Sequence, residues 1–477
     1  MNPLIQCKPT ILPLFIAGVL ACFGLLPKAL AVVPAPDGGY PGGNTAEGQN
    51  ALLSRTTGGF NAAIGWLSLR GLTTGSFNTG VGAATLVLNT GDSNTATGTG
   101  ALFLNTAGFQ NTAHGAFALL HNDSGSDNTA IGFQALSQNI SGANNTATGV
   151  NALGSNTTGS GNTANGLGAL IFNTQGGSNT AVGVGALLHN TTNSDNTAVG
   201  ALALGNNTGS ANTAVGSGAL TANTGAIQNT AVGFQALTNT TVGFNNTAIG
   251  TVALFGNGTG QNNTAIGAGA LASNTAGSSN TAIGLNAGSN ATTGDNNVYI
   301  GKDLFGLAGE NNACYIASIF NQVSSSGVQV LINASNKLGT SASSKRFKED
   351  IKAMDDASEG LYALKPVTFR YKKQIDPAGA GQFGLVAEDV EKVNPDLIVR
   401  DKEGNPYSVR YDQVNAMLLN EFLKQHKVFV EEHCKLEKLE GIVASLVATV
   451  KEQASQIQKV SAGLEASKPA PQVVNNP

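Results

Sequence analysis

Charge is nearly missing from most of this 477-residue chain. Between Asn44 and Gly301 only eight residues carry it: Glu47, Arg55, Arg70, Asp92, Asp123, Asp127, Asp195 and Asp295. The formal net charge of −4 is therefore an average over two unlike halves. No basic stripe with interleaved aromatics occurs, so nothing indicates a nucleic-acid partner. Cysteine is scarce as well. Of four cysteines, Cys7 and Cys22 lie in the leader, and the remaining two, Cys314 and Cys434, are too few for a disulfide framework, which leaves stability to packing and assembly. His114, His121 and His189 have no metal-ligand spacing and read as surface or turn residues. No metal and no cofactor is expected. The scattered Asp of the first half never recurs as a pair, which argues against glycoside hydrolysis there.

Long apolar runs are absent too, apart from one. Lys8 precedes an apolar stretch from Ile11 to Leu26, and Ala29-Leu30-Ala31 supplies the small residues that a signal peptidase reads. The stretch is short for a membrane span and continues past Cys22, so Val19-Leu20-Ala21-Cys22 is not read as a lipoprotein box. The expectation is a signal peptide over 1–31, a linker over 32–43, and a mature chain without a transmembrane segment that is secreted or held at the cell surface after Sec-type export.

What fills the uncharged half is a repeat. An Asn-Thr-Ala-x-Gly unit begins at Asn44 and recurs, with substitutions, to Asn297 at a step of seventeen residues that slips to sixteen twice, at Asn94 and Asn212. Leu stands at the ninth position from Leu52 through Leu271, usually after Ala. Low charge with abundant Asn, Thr, Gly and Ser would suit disorder, but strict spacing is what a solenoid needs, because each coil must present the same shape to the next. A short strand at Thr-Ala-Ile puts Thr and the β-branched fourth residue on one face and Ala on the other. The aligned Leu would form an apolar ladder, Asn and Gly suit the turns, and stacked Asn side chains can hydrogen-bond from coil to coil. Sixteen coils at about 4.8 Å give a rod on the order of 75 Å over 44–301. One coil buries little, so three rods packed around an axis would help.

From 302 to 342 the repeat gives way to apolar pieces, Asn312 to Phe320 and Gly327 to Ile332, whose β-branching predicts strands in a neck. Farther on, Leu436, Leu439, Val443, Leu446, Val450, Gln453, Ile457 and Val460 alternate steps of three and four. That seam predicts a coiled coil over 436–462, with a frayed tail over 463–477.

Between neck and seam lies a junction, Ser343-Ser344-Lys345-Arg346-Phe347-Lys348, where the uncharged array ends. A serine hydroxyl is a poor nucleophile, and a neutral lysine amine held beside it can take its proton. By themselves these residues equally describe a solvated basic helix start with Ser343 or Ser344 as its cap. Downstream come Leu364-Lys365-Pro366-Val367-Thr368-Phe369-Arg370-Tyr371, Gln382-Phe383-Gly384-Leu385-Val386-Ala387-Glu388-Asp389-Val390, Asn394-Pro395-Asp396-Leu397, Val409-Arg410-Tyr411-Asp412 and Met417-Leu418-Leu419-Asn420-Glu421. In this order they resemble the peptidase S74 family, the self-cleaving intramolecular chaperone domain of phage endosialidase tailspikes and of myelin regulatory factor. The resemblance implies an α+β domain over 343–435 that helps three chains assemble. It implies further that a Ser–Lys dyad then cuts the chain, with Ser343 as nucleophile, Lys348 as base and Ala342–Ser343 as the favoured bond. Ser344 stands where phage members often carry Asp. Glu388 and Asp389 read as helix-fixing polar residues of the motif. The repeats are similar, with a longer period, to the head repeats of trimeric autotransporter adhesins, whose C-terminal membrane anchor has no counterpart here.

The expected molecule is mainly β: a parallel β-solenoid or β-roll rod, trimeric, followed by an α+β S74 domain and a coiled-coil helix. Its partner is itself, as a homotrimer, and its chemistry is one autoproteolytic turnover. The alternative is a structural adhesin, or a rod that binds a cell-surface or polysaccharide ligand, under an uncut trimerisation cap.

Overall fold

The computed structural model describes residues 40–320, 322, 327–333 and 335–467. The leader expected over 1–31, the linker up to 39 and the end of the tail from 468 lie outside the described residues. Contacts divide the chain into two units between residues 322 and 323.

The first unit is a parallel β-solenoid. Seventeen three-residue strands, β1 (Thr45–Glu47) to β17 (Cys314–Ile316), form one parallel sheet in which each strand pairs with the next. The register follows the repeat: Thr129 pairs with Thr146 and Ala130 with Ala147. After β16 (Val298–Ile300), one further strand falls in the stretch read as a neck, since β17 extends the sheet beyond Gly301. The central residue of each strand points inward and from β4 to β15 is a buried Ala, while Thr and the fourth residue point outward, as alternation requires.

Glycine closes each strand from β1 to β16 for two reasons. Gly132 has φ 135°, and a Cβ there would lie 2.4 Å from the carbonyl oxygen of Gly149 in the next coil. The ninth position is less expected, because the buried Leu is itself left-handed: φ is 53° at Leu136, 50° at Leu153 and 53° at Leu170. That conformation costs a non-glycine residue roughly 1–2 kcal/mol. Burying the leucine side chain contributes about 1.5–3 kcal/mol, which outweighs the cost by a small margin. The bend is also held from the next coil, where Leu136 N–H donates to Ala152 O at 3.0 Å. A leucine coil is thus stable only when stacked.

Two files of buried asparagine run along the rod. In the first, at the opening of each unit, Asn128 donates from its backbone N–H (3.0 Å) and Nδ2 (3.1 Å) to Oδ1 of Asn111. The second stands at the twelfth position, where Asn156 Nδ2 donates to Asn139 Oδ1 at 2.8 Å and Asn173 Nδ2 to Asn156 Oδ1 at 2.8 Å. The files meet at one carbonyl per coil: Gly159 O accepts from Asn145 and Asn156, each at 2.9 Å. These groups are buried from solvent, so each amide depends on the neighbouring coil.

At the C-terminal end the packing changes partners. Tyr299 replaces the inward Ala, and Gly288 replaces the Leu; a Cβ on Gly288 would fall 2.7 Å from the Tyr299 ring. Tyr315 stacks on Tyr299 with centroids 5.6 Å apart and donates its hydroxyl to the Glu310 carboxylate at 2.8 and 2.9 Å. That bond holds the proton on Tyr315 and pushes its pKa up to about 12.

The second unit is a small α+β domain with a long helix. It contains three antiparallel hairpins: β18 (Val330–Ile332) with β19 (Leu338–Thr340), β20 (Val367–Phe369) with β21 (Gln382–Gly384), and β22 (Ile398–Arg400) with β23 (Pro406–Val409). Helix α1 (Ala387–Val393) and the first turns of α2 (Tyr411–Ala466) close a core of Val390, Leu397, Ile398, Val409, Val414 and Met417. Beyond that core α2 runs on as one helix through the whole seam. Leu436, Leu439, Val443, Leu446, Val450, Ile457 and Val460 are all exposed in the single chain.

Candidate functional site

Ser343 and Lys348 are brought together by local chain geometry. Ser344 is extended (φ −65°, ψ 138°), Lys345–Phe347 form one 3₁₀ turn, and Lys348 is extended again. Phe347 N–H donates to Ser344 O at 3.0 Å and Lys348 N–H to Lys345 O at 3.1 Å, so the turn folds the lysine back over the serine. Lys348 Nζ donates to Ser343 Oγ at 3.2 Å. Ser344 stands at the N-cap of this exposed basic turn, as a helix start would have it, but makes no side-chain cap bond. Arg346 lies over the Phe347 ring, 4.6 Å from its centroid. Ala342, Ser343 and Lys348 are all exposed.

The segment that delivers Ser343 is the β18–β19 hairpin. It forms a cleft with the β22–β23 hairpin, lined by Leu331, Ile332, Thr340, Val399, Arg400 and Arg410. Arg400 is itself held by Glu391 of α1 at 2.5 Å. Glu388 and Asp389 sit in the first turn of α1, where Asp389 accepts from Lys392 at 2.8 Å. The Lys392 ammonium holds the Asp389 carboxyl below its ordinary range.

A second polar cluster escaped the sequence reading except for its Asn420-Glu421 pair. Glu421 of α2 is buried and accepts from Ser358, from Tyr362 at 2.8 Å and from Lys424 at 3.0 Å. Asn420 Nδ2 donates to Ser358 Oγ at 2.7 Å and Asp355 O at 2.8 Å. The Ser358 hydroxyl, then Lys424 and Tyr362, stabilise the carboxylate and lower the Glu421 pKa to about 2. Ser358 and Tyr362 belong to the 3₁₀ segment Asp355–Ala363, so one carboxylate fastens that segment to the helix. A serine spaced sixty-three residues from its acceptor leaves no local signal.

Among the described residues no group of His, Cys, Asp or Glu is placed to hold a metal, and no helix is long and apolar enough to cross a membrane. Cys314 and Cys434 are free and exposed.

Fold and sequence together define a parallel β-solenoid followed by a small α+β unit that ends in a long helix. Residues 343–399 match the peptidase S74 family, described as the chaperone of endosialidase. The match begins at Ser343 and spans the Ser–Lys turn, the β20–β21 hairpin, α1 and the start of β22. No curated protein and no solved structure matches the chain.

Proposed function

We propose that this chain is an exported fibrous protein whose S74 domain gathers three copies, aligns their rods and then cuts itself free beside Ser343. The observation that carries the reading is the 3.2 Å approach of Lys348 Nζ to Ser343 Oγ inside a segment that matches a self-processing chaperone family.

The chemistry is one turnover. Ser343 Oγ attacks the Ala342 carbonyl carbon as Lys348 Nζ takes the hydroxyl proton. The C–N bond breaks, the proton passes to the amine of Ser343, and the resulting ester is hydrolysed by water. An ammonium cannot act as this base. Removing Lys348 from water favours its neutral form, and in the single chain both groups are exposed. Assembly is therefore the step that switches the dyad on, with neighbouring chains supplying the cover. The exposed seam of α2, from Leu436 to Val460, is the surface through which helices of three chains join.

The test is expression of wild type, Ser343→Ala and Lys348→Ala, each resolved under native and denaturing conditions. The expected result is release of fragment 343–477 from wild type alone, with assembly intact in all three. The mass of the fragment identifies the bond. An assembled wild type that stays whole would make the domain an uncut cap on a structural rod, with a cell-surface or polysaccharide ligand as the rod's business.

A further inference from the structure

We propose that the outward face of the strand column is the surface on which copies of this chain pack, side by side, parallel and in register. This deepens the assembled reading above and rests on it.

Three positions of each coil make that face: the second and fourth residues, which flank the buried Ala, and the sixth, just past the glycine. Between Glu47 and Lys302 none of them carries a formal charge. The fourth position is Val or Ile in nine consecutive coils from Val182 to Ile316. Ile249, Ile266, Ile283, Ile300 and Ile316 are each about 40 % exposed there. One such side chain at a surface is ordinary, but an unbroken file is a contiguous apolar strip.

Spacing identifies the occupant. Rungs recur at about 4.8 Å along the axis, so only a partner with the same rise meets every rung, and a second copy has it by construction. Orientation follows from composition. Nearer the N-terminus the fourth position mixes polar Thr97, His114, Thr148 and Asn165 with Ile64, Val81 and Ile131, so an antiparallel neighbour would set the apolar half against a mixed one. A parallel neighbour in register pairs Ile with Ile and Thr with Thr. The face measures on the order of 1,000 Å² per chain, about 75 Å by 13 Å. That exceeds the roughly 800 Å² per partner of a stable interface. Because the apolar half is the one next to the S74 segment in sequence, pairing starts there and runs toward the N-terminal coils.

The test is cross-linking of full-length chains whose native cysteines are replaced by serine. One variant carries Ile249→Cys on the face; the other carries Thr259→Cys, exposed in the same coil but outside the strand. Each is assembled, checked for size and for an unchanged circular dichroism spectrum, then treated with a short bismaleimide. Proximity should give about tenfold or more linked product from position 249 than from 259. An oligomer that links equally at both positions, or not at 249, overturns the inference and leaves the assembled reading standing. A chain that stays monomeric overturns both.

Discussion

Asn156 donates from Nδ2 to Asn139 Oδ1 across 2.8 Å, gives its second amide proton to Gly159 O at 2.9 Å, and accepts from Asn173 Nδ2 at 2.8 Å. All three asparagines are fully buried. A polar file inside a rod this thin makes each coil the hydrogen-bonding partner of the next.

Replacing Asn156 by Leu keeps the branched heavy-atom outline and removes the bonds. Asn139 Oδ1 and one Asn173 N–H are then buried without partners, at a cost of about 3 kcal/mol for the pair. Urea denaturation of the rod, followed by circular dichroism, measures it. A loss below about 1 kcal/mol would mean that the file is not a stabilising element.

The file breaks at Thr240, which stands where its neighbours have Asn. Its buried Oγ1 has no partner, and Asn257, which donates to Gly260 O at 3.0 Å and accepts from Asn274 at 2.8 Å, donates to no file neighbour on the Thr240 side. Thr240→Asn should restore donation to Asn223 and supply an acceptor to Asn257, raising stability by about 1 kcal/mol. The readout is a higher thermal midpoint, and a lower one contradicts the ladder account.

Gly132→Ala should disrupt the rod more than its size suggests. The new Cβ would lie 2.4 Å from a backbone oxygen at a φ of 135°, and the stacked coil has no flexible side chain to move aside. The expected outcome is loss of soluble rod, or of about 2 kcal/mol or more. Gly168→Ala serves as the comparison: φ there is 63°, and the nearest atom to a Cβ is the end of Leu188 at 3.9 Å, so a much smaller loss is expected.

Acid should loosen the S74 unit through Glu421. Its folded pKa of about 2 lies below the ordinary 4.5, so the unfolded chain binds the proton more readily. The carboxylate's contribution is fully present above about pH 4.5 and is lost as pH falls toward 2. Denaturant midpoints of fragment 343–477 measured at pH 3 and pH 6 should differ more in wild type than in Glu421→Gln. Equal pH dependence in the two would show that the cluster does not hold the segment to the helix.

Much of the rod was legible because its physics is local and repeated. A seventeen-residue step with Ala between Thr and a β-branched residue specifies a parallel strand and its alternation, whatever surrounds it. The Ser–Lys turn was legible for the same reason, since only four residues separate Ser343 from Lys348. The second asparagine file was not read, although Asn fills the twelfth position from Asn89 to Asn274 except at Thr240; its signal was hidden among turn residues that favour Asn on other grounds. The positive φ of Leu136 and its equivalents left no trace, because leucine is disfavoured there and only burial reverses the preference.

The amino-acid sequence by itself determined the rod, its period, the alternation of each strand and the closeness of Ser343 and Lys348, because each depends on spacing along one strand or one turn. Tertiary structure decided what no spacing carries. It set both asparagine files on a shared carbonyl, such as Gly159 O, since that meeting needs residues from two sides of one coil. It joined Ser358 and Tyr362 to Glu421 across about sixty residues of chain, where the energy comes from burial of a satisfied carboxylate. And it turned Thr, Val and Ile to the outside of the strand column, because the interior is already filled by Ala and Leu.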